Sequence, residues 1–143
     1  MKFLLFLVSL FSTPAYATVE EAIFHKVNDY RAANGLKPLV ALPVIENVAQ
    51  RYSTQMAEHT MPYGHVGLKQ RVASIQSKLP LRTSAGENVN WIYNSTDIAE
   101  SAFQSWILSS EHLANILGDY TYTGIGLAKS RSNEYYVTQI FWN

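Results

Sequence analysis

The side chains best suited to chemistry in this sequence are its four histidines and the carboxylates near them. His65 lies in Met61-Pro62-Tyr63-Gly64-His65-Val66-Gly67, a loop by its proline and glycines, where polar side chains tend to serve function rather than packing. His112 follows the polar turn Ser109-Ser110-Glu111 and opens a short helical segment. Glu87 is bracketed by Gly86 and Asn88 in Ser84-Ala85-Gly86-Glu87-Asn88, which reads as a further turn. Two imidazoles and a carboxylate are the raw material of a metal or acid–base site, because neutral imidazole ligates zinc and a carboxylate orients a ring or a bound water. The separations of 22 residues (65 to 87) and 25 residues (87 to 112) fit no short ligand motif. By spacing alone, three unrelated loop residues are the default. His25, between Phe24 and Lys26, reads as a partly exposed helix residue. His59 reads as the end of the second helix, where an imidazole meets the last carbonyls.

Other chemistries are excluded or weakly supported. The absence of cysteine removes disulfide scaffolds, thiolate zinc fingers, iron–sulfur centres and cysteine nucleophiles. Ser109 or Ser110 beside His112 makes a serine nucleophile conceivable. No Gly-x-Ser-x-Gly elbow is present, however, and Ser110 is more simply a helix cap. With 11 basic and 11 acidic residues the chain has no formal net charge, which argues against binding nucleic acid by phosphate neutralisation.

The elements that must position these residues follow from periodicity. Thr18-Val19-Glu20-Glu21 has the form of a capping box, and Ile23, Phe24, Val27 and Tyr30 follow at helical spacing up to Asn34-Gly35. Pro43 suits a first helical turn, and Ile45, Val48, Ala49, Tyr52 and Met56 form the stripe of a second helix. A third helix is expected over 68–78, a short strand over 89–93 and a fourth helix over 97–108. Residues 122–128 and 135–142, separated by Lys129-Ser130-Arg131-Ser132-Asn133-Glu134, read as an antiparallel hairpin. Helices first and strands last make an α+β sandwich without internal repeats. Asn94-Ser95-Thr96 has the form of a glycosylation sequon and is read as an ordinary turn.

Residues 1–17 are expected to lie outside that fold. Met1-Lys2 precedes the apolar run Phe3 to Phe11, then Ser12-Thr13-Pro14 and the small-x-small triplet Ala15-Tyr16-Ala17, the layout of a secretory signal peptide cleaved after Ala17. A run of nine residues is too short for a membrane span, which needs about 20. Removing 17 of the 143 residues leaves a single domain of 126, without a transmembrane anchor and destined for the periplasm or the exterior. The 48% apolar content of the full chain suits a folded core.

Taken together, the segments resemble the CAP superfamily (cysteine-rich secretory proteins, antigen 5 and pathogenesis-related 1), especially its compact bacterial members. The matching stretches are Val27 to Leu39, Ala49 to Met56, Tyr63-Gly64-His65, Ala85 to Val89, Trp106 with His112 to Leu117, Gly124 to Ala128, and Val137 to Phe141. The resemblance implies an α-β-α sandwich, expected here with an antiparallel central sheet, and a cleft lined by two histidines and two acids. His65, Glu87 and His112 match three of those positions. The fourth falls at Ser109, so the second acid is missing, and Glu111 is its substitute only if its side chain turns inward.

The family likeness further implies that His65 and His112 ligate a divalent cation, zinc above all, with Glu87 behind them. Three functions stay open. One is an exported binding or effector domain for an extracellular or periplasmic ligand, a lipid, a sterol or a protein. Another is a zinc-dependent hydrolase with Glu87 as base. The third is a structural domain whose polar cluster only rigidifies the core.

Overall fold

The first helix, α1 (Val19–Ala33), starts where the sequence places a capping box. Thr18 Oγ1 accepts from the Glu21 backbone N–H at 3.0 Å, and the Glu21 carboxylate accepts from the Ala17 N–H at 3.1 Å. Gly35, at φ 74°, ends the helix in the left-handed region. The computed structural model describes residues 15–79 and 84–143, so residues 1–14 of the expected signal peptide lie outside the described residues. The remaining elements are β1 (Val40–Ala41), α2 (Pro43–Ala57), α3 (Leu68–Gln76), β2 (Ala85–Ile92), α4 (Ile98–Ile107), α5 (Ser110–Ile116), β3 (Tyr122–Lys129) and β4 (Tyr135–Trp142).

Four strands form one sheet in the order β1-β3-β4-β2. The β3–β4 hairpin forms as the alternation predicts, and β2 pairs antiparallel to β4 from Ala85 opposite Trp142 to Ile92 opposite Tyr135. The expectation of an antiparallel sheet needs correction, because β1 runs parallel to β3 and the sheet is mixed. The linker between α1 and α2 meets the β3 edge running in the β3 direction, and the Val40 and Leu42 N–H groups donate to the Thr121 and Thr123 carbonyls. A second correction concerns residues 85–88, read as a turn but forming the start of β2.

Helices cover both faces of the sheet. One core joins Ile23 and Val27 of α1, Ala102 and Trp106 of α4 and Ile116 of α5 to Ile92, Val137 and Phe141. The opposite face packs Ile45, Val48 and Ala49 of α2 and Ile75 of α3 on Ile140 and Trp142, with Tyr52 and Met56 on Val89 and Tyr136. This is an α-β-α sandwich. The α2 helix lies very close to β3 because Gly124 and Gly126 have no side chains; a Cβ at either would collide with the α2 backbone at Glu46 or Gln50. Arg31, buried on the Ile23/Val27 face, donates to the carbonyls of Lys37, Ile116, Gly118 and Tyr120 and so ties α1 to the chain after α5.

Trp106 is fully buried and its indole N–H donates to the Val89 carbonyl at 3.2 Å, joining α4 to the sheet. Trp106→Phe is therefore expected to cost about 1–3 kcal/mol, from the orphaned carbonyl and the smaller ring. Urea denaturation measures it, and a loss below about 0.5 kcal/mol would mean that this bond contributes nothing net.

Candidate functional site

The loop between α2 and α3 carries His65, and two glycines and two hydrogen bonds fix it. Gly64 (φ 129°) and Gly67 (φ 80°) allow the reversal, the Tyr52 hydroxyl donates to the Gly64 carbonyl at 2.7 Å, and Arg71 Nη1 donates to the Val66 carbonyl at 2.8 Å. Glu87 reaches the same place from β2, with its side chain fully buried. Arg71 grips it with a fork, Nε to Oε2 at 2.6 Å and Nη2 to Oε1 at 2.7 Å, while the guanidinium lies 3.4 Å from the centre of the Tyr52 ring. Such a bidentate pair satisfies a buried carboxylate that would otherwise be costly.

His65 Nδ1 lies 2.9 Å from Glu87 Oε1. A carboxylate only accepts, so Nδ1 carries the proton and the lone pair of the neutral ring sits on Nε2. The His65 side chain is half exposed. His112, on α5, places Nδ1 2.8 Å from Ser109 Oγ. A hydroxyl both donates and accepts, so Ser109 orients this ring without fixing its tautomer. Ser109, not Ser110, is the N-cap of α5, a correction to the expected cap; its hydroxyl serves the imidazole instead of a backbone N–H. Glu111 is exposed and acts on His112 only electrostatically, making no hydrogen bond to it among the described residues.

Asparagines lock α5 to the strand bearing Glu87. Asn88 donates to the His112 carbonyl at 3.0 Å, and Asn115 donates to Asn88 Oδ1 at 2.8 Å and to the Glu87 carbonyl at 3.2 Å. Gly86 makes room, since a Cβ there would strike Asn115 and the Tyr120 hydroxyl. Two pairs result, His65 with Glu87 and His112 with Ser109, and the two rings are near enough for His65 to act electrostatically on His112. His25 stacks on Tyr16, and His59 lies beyond α2 against Tyr136; neither takes part. Arg71 is the member that sequence reasoning missed; its signal was its place four residues before Ile75, on the buried face of α3.

Burial, and next the nearby His65, push the His112 pKa below its ordinary 6.5, while Glu111 pulls weakly upward. The unfolded chain therefore takes up a proton here at higher pH than the folded chain does. Above about 6.5 both forms are neutral, and as pH falls below that value stability drains away until the folded ring also protonates. The metal-free protein is expected to lose stability between about pH 7.5 and 5, and His112→Gln to lose less. Urea midpoints at both pH values measure the difference, and equal slopes in the two proteins would count against a buried neutral His112.

The model for the cysteine-rich secretory protein family matches residues 24–141. The chain belongs to the CAP family. Solved structures agree on the fold. An outer surface protein from Borrelia burgdorferi superposes with a TM-score of 0.73 at 16% identity, over 87% of this chain and 92% of that one. An extracellular SCP-domain protein from Bacillus anthracis gives 0.69 at 22% identity, over 92% of this chain but 45% of that one. The structure of NaASP2 with Zn2+ gives 0.62 at 14% identity, over 86% of this chain and 78% of that one. No curated protein matches the sequence. Among the described residues, no helix is long and apolar enough to cross a membrane.

Proposed function

We propose that this CAP domain is an exported binding or effector domain in which His65 and His112 hold a divalent cation, zinc above all, without turnover. One observation carries the reading: both rings have Nδ1 engaged, by Glu87 and by Ser109, so that Nε2 of His65 bears the lone pair, as does Nε2 of His112 in the tautomer that donates to Ser109. The downward push on the His112 pKa favours the neutral, ligating form, and its second cause is the neighbouring ring. Among the described residues no group of three or more His, Cys, Asp or Glu is arranged to hold a metal, so the proposed site would draw on His65 and His112 alone. That number suits a weak centre open to an external ligand rather than a closed structural one. NaASP2, which shares this fold and whose structure was determined with Zn2+, supports the choice of metal. A bound zinc would supply Lewis acidity at this cleft.

The hydrolase alternative loses its base. Both Glu87 oxygens are occupied by the Arg71 fork, and one is also shared with His65. A carboxylate so held orients an imidazole well and accepts a proton from water poorly. A groove of about 590 Å³, lined by His65, Leu68, Val72 and Ala85 together with Lys69 and Gln70, gives a ligand a largely apolar surface beside His65. Zinc calorimetry on protein purified without chelator or a histidine tag tests the reading. A saturable heat near one equivalent at neutral pH is expected, and its absence ends the metal proposal.

A further inference from the structure

A second candidate site lies at the other end of β2, about 13 Å along the strand from Glu87. β2 is an edge strand and pairs with β4 on one side only. Its outer edge is capped at Glu87, whose carbonyl accepts from Asn115, and at Val89, whose carbonyl accepts from Trp106. Backbone groups of alternate residues point the same way in an antiparallel pair, so the N–H and C=O of Trp91 face outward next. There a groove of about 470 Å³ opens, lined among others by Asn90, Trp91, Tyr93 and Asn94 from the strand side and by Ser101 and Ser105, one turn apart on α4. None of its described lining residues is charged.

Two features of this groove are unexplained by packing. Asn90 is only 8% exposed, yet its side-chain amide makes no hydrogen bond among the described residues. Its polar atoms still reach solvent along the groove that Asn90 lines, so the amide is open to a ligand. Trp91, in β2, is 50% exposed, and Tyr93, just past the end of the strand, 57%. The exposed indole is nevertheless tethered: its N–H donates to Glu134 at 2.6 Å, and the same carboxylate oxygen accepts from the Tyr136 hydroxyl at 3.0 Å. Packing does not require that tether; it holds an apolar ring face in a fixed position beside water. Asn90 and Trp91 project to opposite faces of β2, so the lining wraps the strand edge.

We propose that this groove binds a neutral saccharide. A pyranose presents C–H faces to aromatic rings and hydroxyls that both donate and accept. The groove offers two exposed rings, an unpaired amide, serine hydroxyls and a free strand edge, and its described lining residues carry no charge for an ionic ligand. The proposal is independent of metal binding at the histidines.

The test is an NMR titration of the ¹⁵N-labelled protein with cellotriose and with tri-N-acetylchitotriose, read on the indole N–H signals of its 3 tryptophans and on backbone amides. At least one sugar should shift the Trp91 indole saturably and leave the buried Trp106 and Trp142 indoles in place. Read on the amides of Tyr93 and Ser101, Trp91→Ala and Asn90→Ala should each raise Kd about tenfold or more, equivalent to about 1.4 kcal/mol. Glu134→Gln should weaken binding less, because the ring remains. His65→Ala should change nothing, which separates this groove from the histidine site. Three results would each overturn the proposal: no saturable shift with either sugar, binding indifferent to both alanine variants, or the same amides shifting with protein concentration alone, the sign of a protein contact at this edge.

Discussion

Glu87→Ala is expected to destabilise the domain by about 3–5 kcal/mol, because it leaves the Arg71 guanidinium buried without its counter-charge. The Arg71 side chain is 9% exposed and directs Nε and Nη2 at the lost carboxylate. Water cannot replace both bonds without opening the α3–β2 contact. Glu87→Gln keeps an acceptor and should cost less. Arg71→Met with Glu87→Leu removes both charges together and should recover much of the single-variant loss, since an apolar pair of similar volume carries no desolvation cost. Urea denaturation of wild type, Arg71→Met, Glu87→Leu and the double variant gives the coupling energy directly. A loss below about 1 kcal/mol for Glu87→Ala would mean that Arg71 rehydrates freely, and the His65 loop, which hangs from Arg71 through the Val66 carbonyl, would then lack the rigid support described above.

This pair also marks the boundary of what the sequence discloses. Local patterns were legible where one element decides its own conformation: the Thr18/Glu21 capping box, the α2 stripe from Ile45 to Met56 and the β3–β4 hairpin all form where they were expected. Gly86-Glu87-Asn88 misled because glycine, glutamate and asparagine are poor strand formers. Their reasons for being in β2 are tertiary: Gly86 yields space to Asn115 and Tyr120, Glu87 meets Arg71, and Asn88 meets Asn115. Arg71 was hidden for a similar reason, because an arginine in a polar helix reads as solvated until its partner is known. The parallel pairing of β1 rests on a two-residue strand, too short to leave a periodic trace. His65, Glu87 and His112 were identified as a set through family resemblance, since their spacing alone did not link them.

Zinc at about 100 times its dissociation constant is expected to raise the melting temperature by about 10 °C, the equivalent of roughly 2.7 kcal/mol for a domain of this size. His65→Ala and His112→Ala should each abolish most of that shift while leaving the metal-free fold largely intact, since His65 is half exposed and His112 only partly buried. Glu87→Gln should lower affinity about 10–100-fold, because a neutral amide holds the His65 tautomer less firmly than a carboxylate does. His25→Ala and His59→Ala should leave the shift unchanged, as both rings lie elsewhere. The most informative variant is Ser109→Glu. Ser109 stands where the resemblance implies an acid, and its hydroxyl leaves the His112 tautomer open. A carboxylate there would demand Nδ1–H and commit Nε2 to the metal, so affinity should rise about tenfold. Protons compete with zinc for the same lone pairs, and because His112 is held below 6.5 its ligating form persists to lower pH than in a free imidazole. Melting curves with and without zinc at about pH 7.5 across the six variants decide the matter. A zinc shift that survives both histidine substitutions would place the metal elsewhere, and one that Ser109→Glu weakens would mean that tautomer control at His112 is not what limits this site.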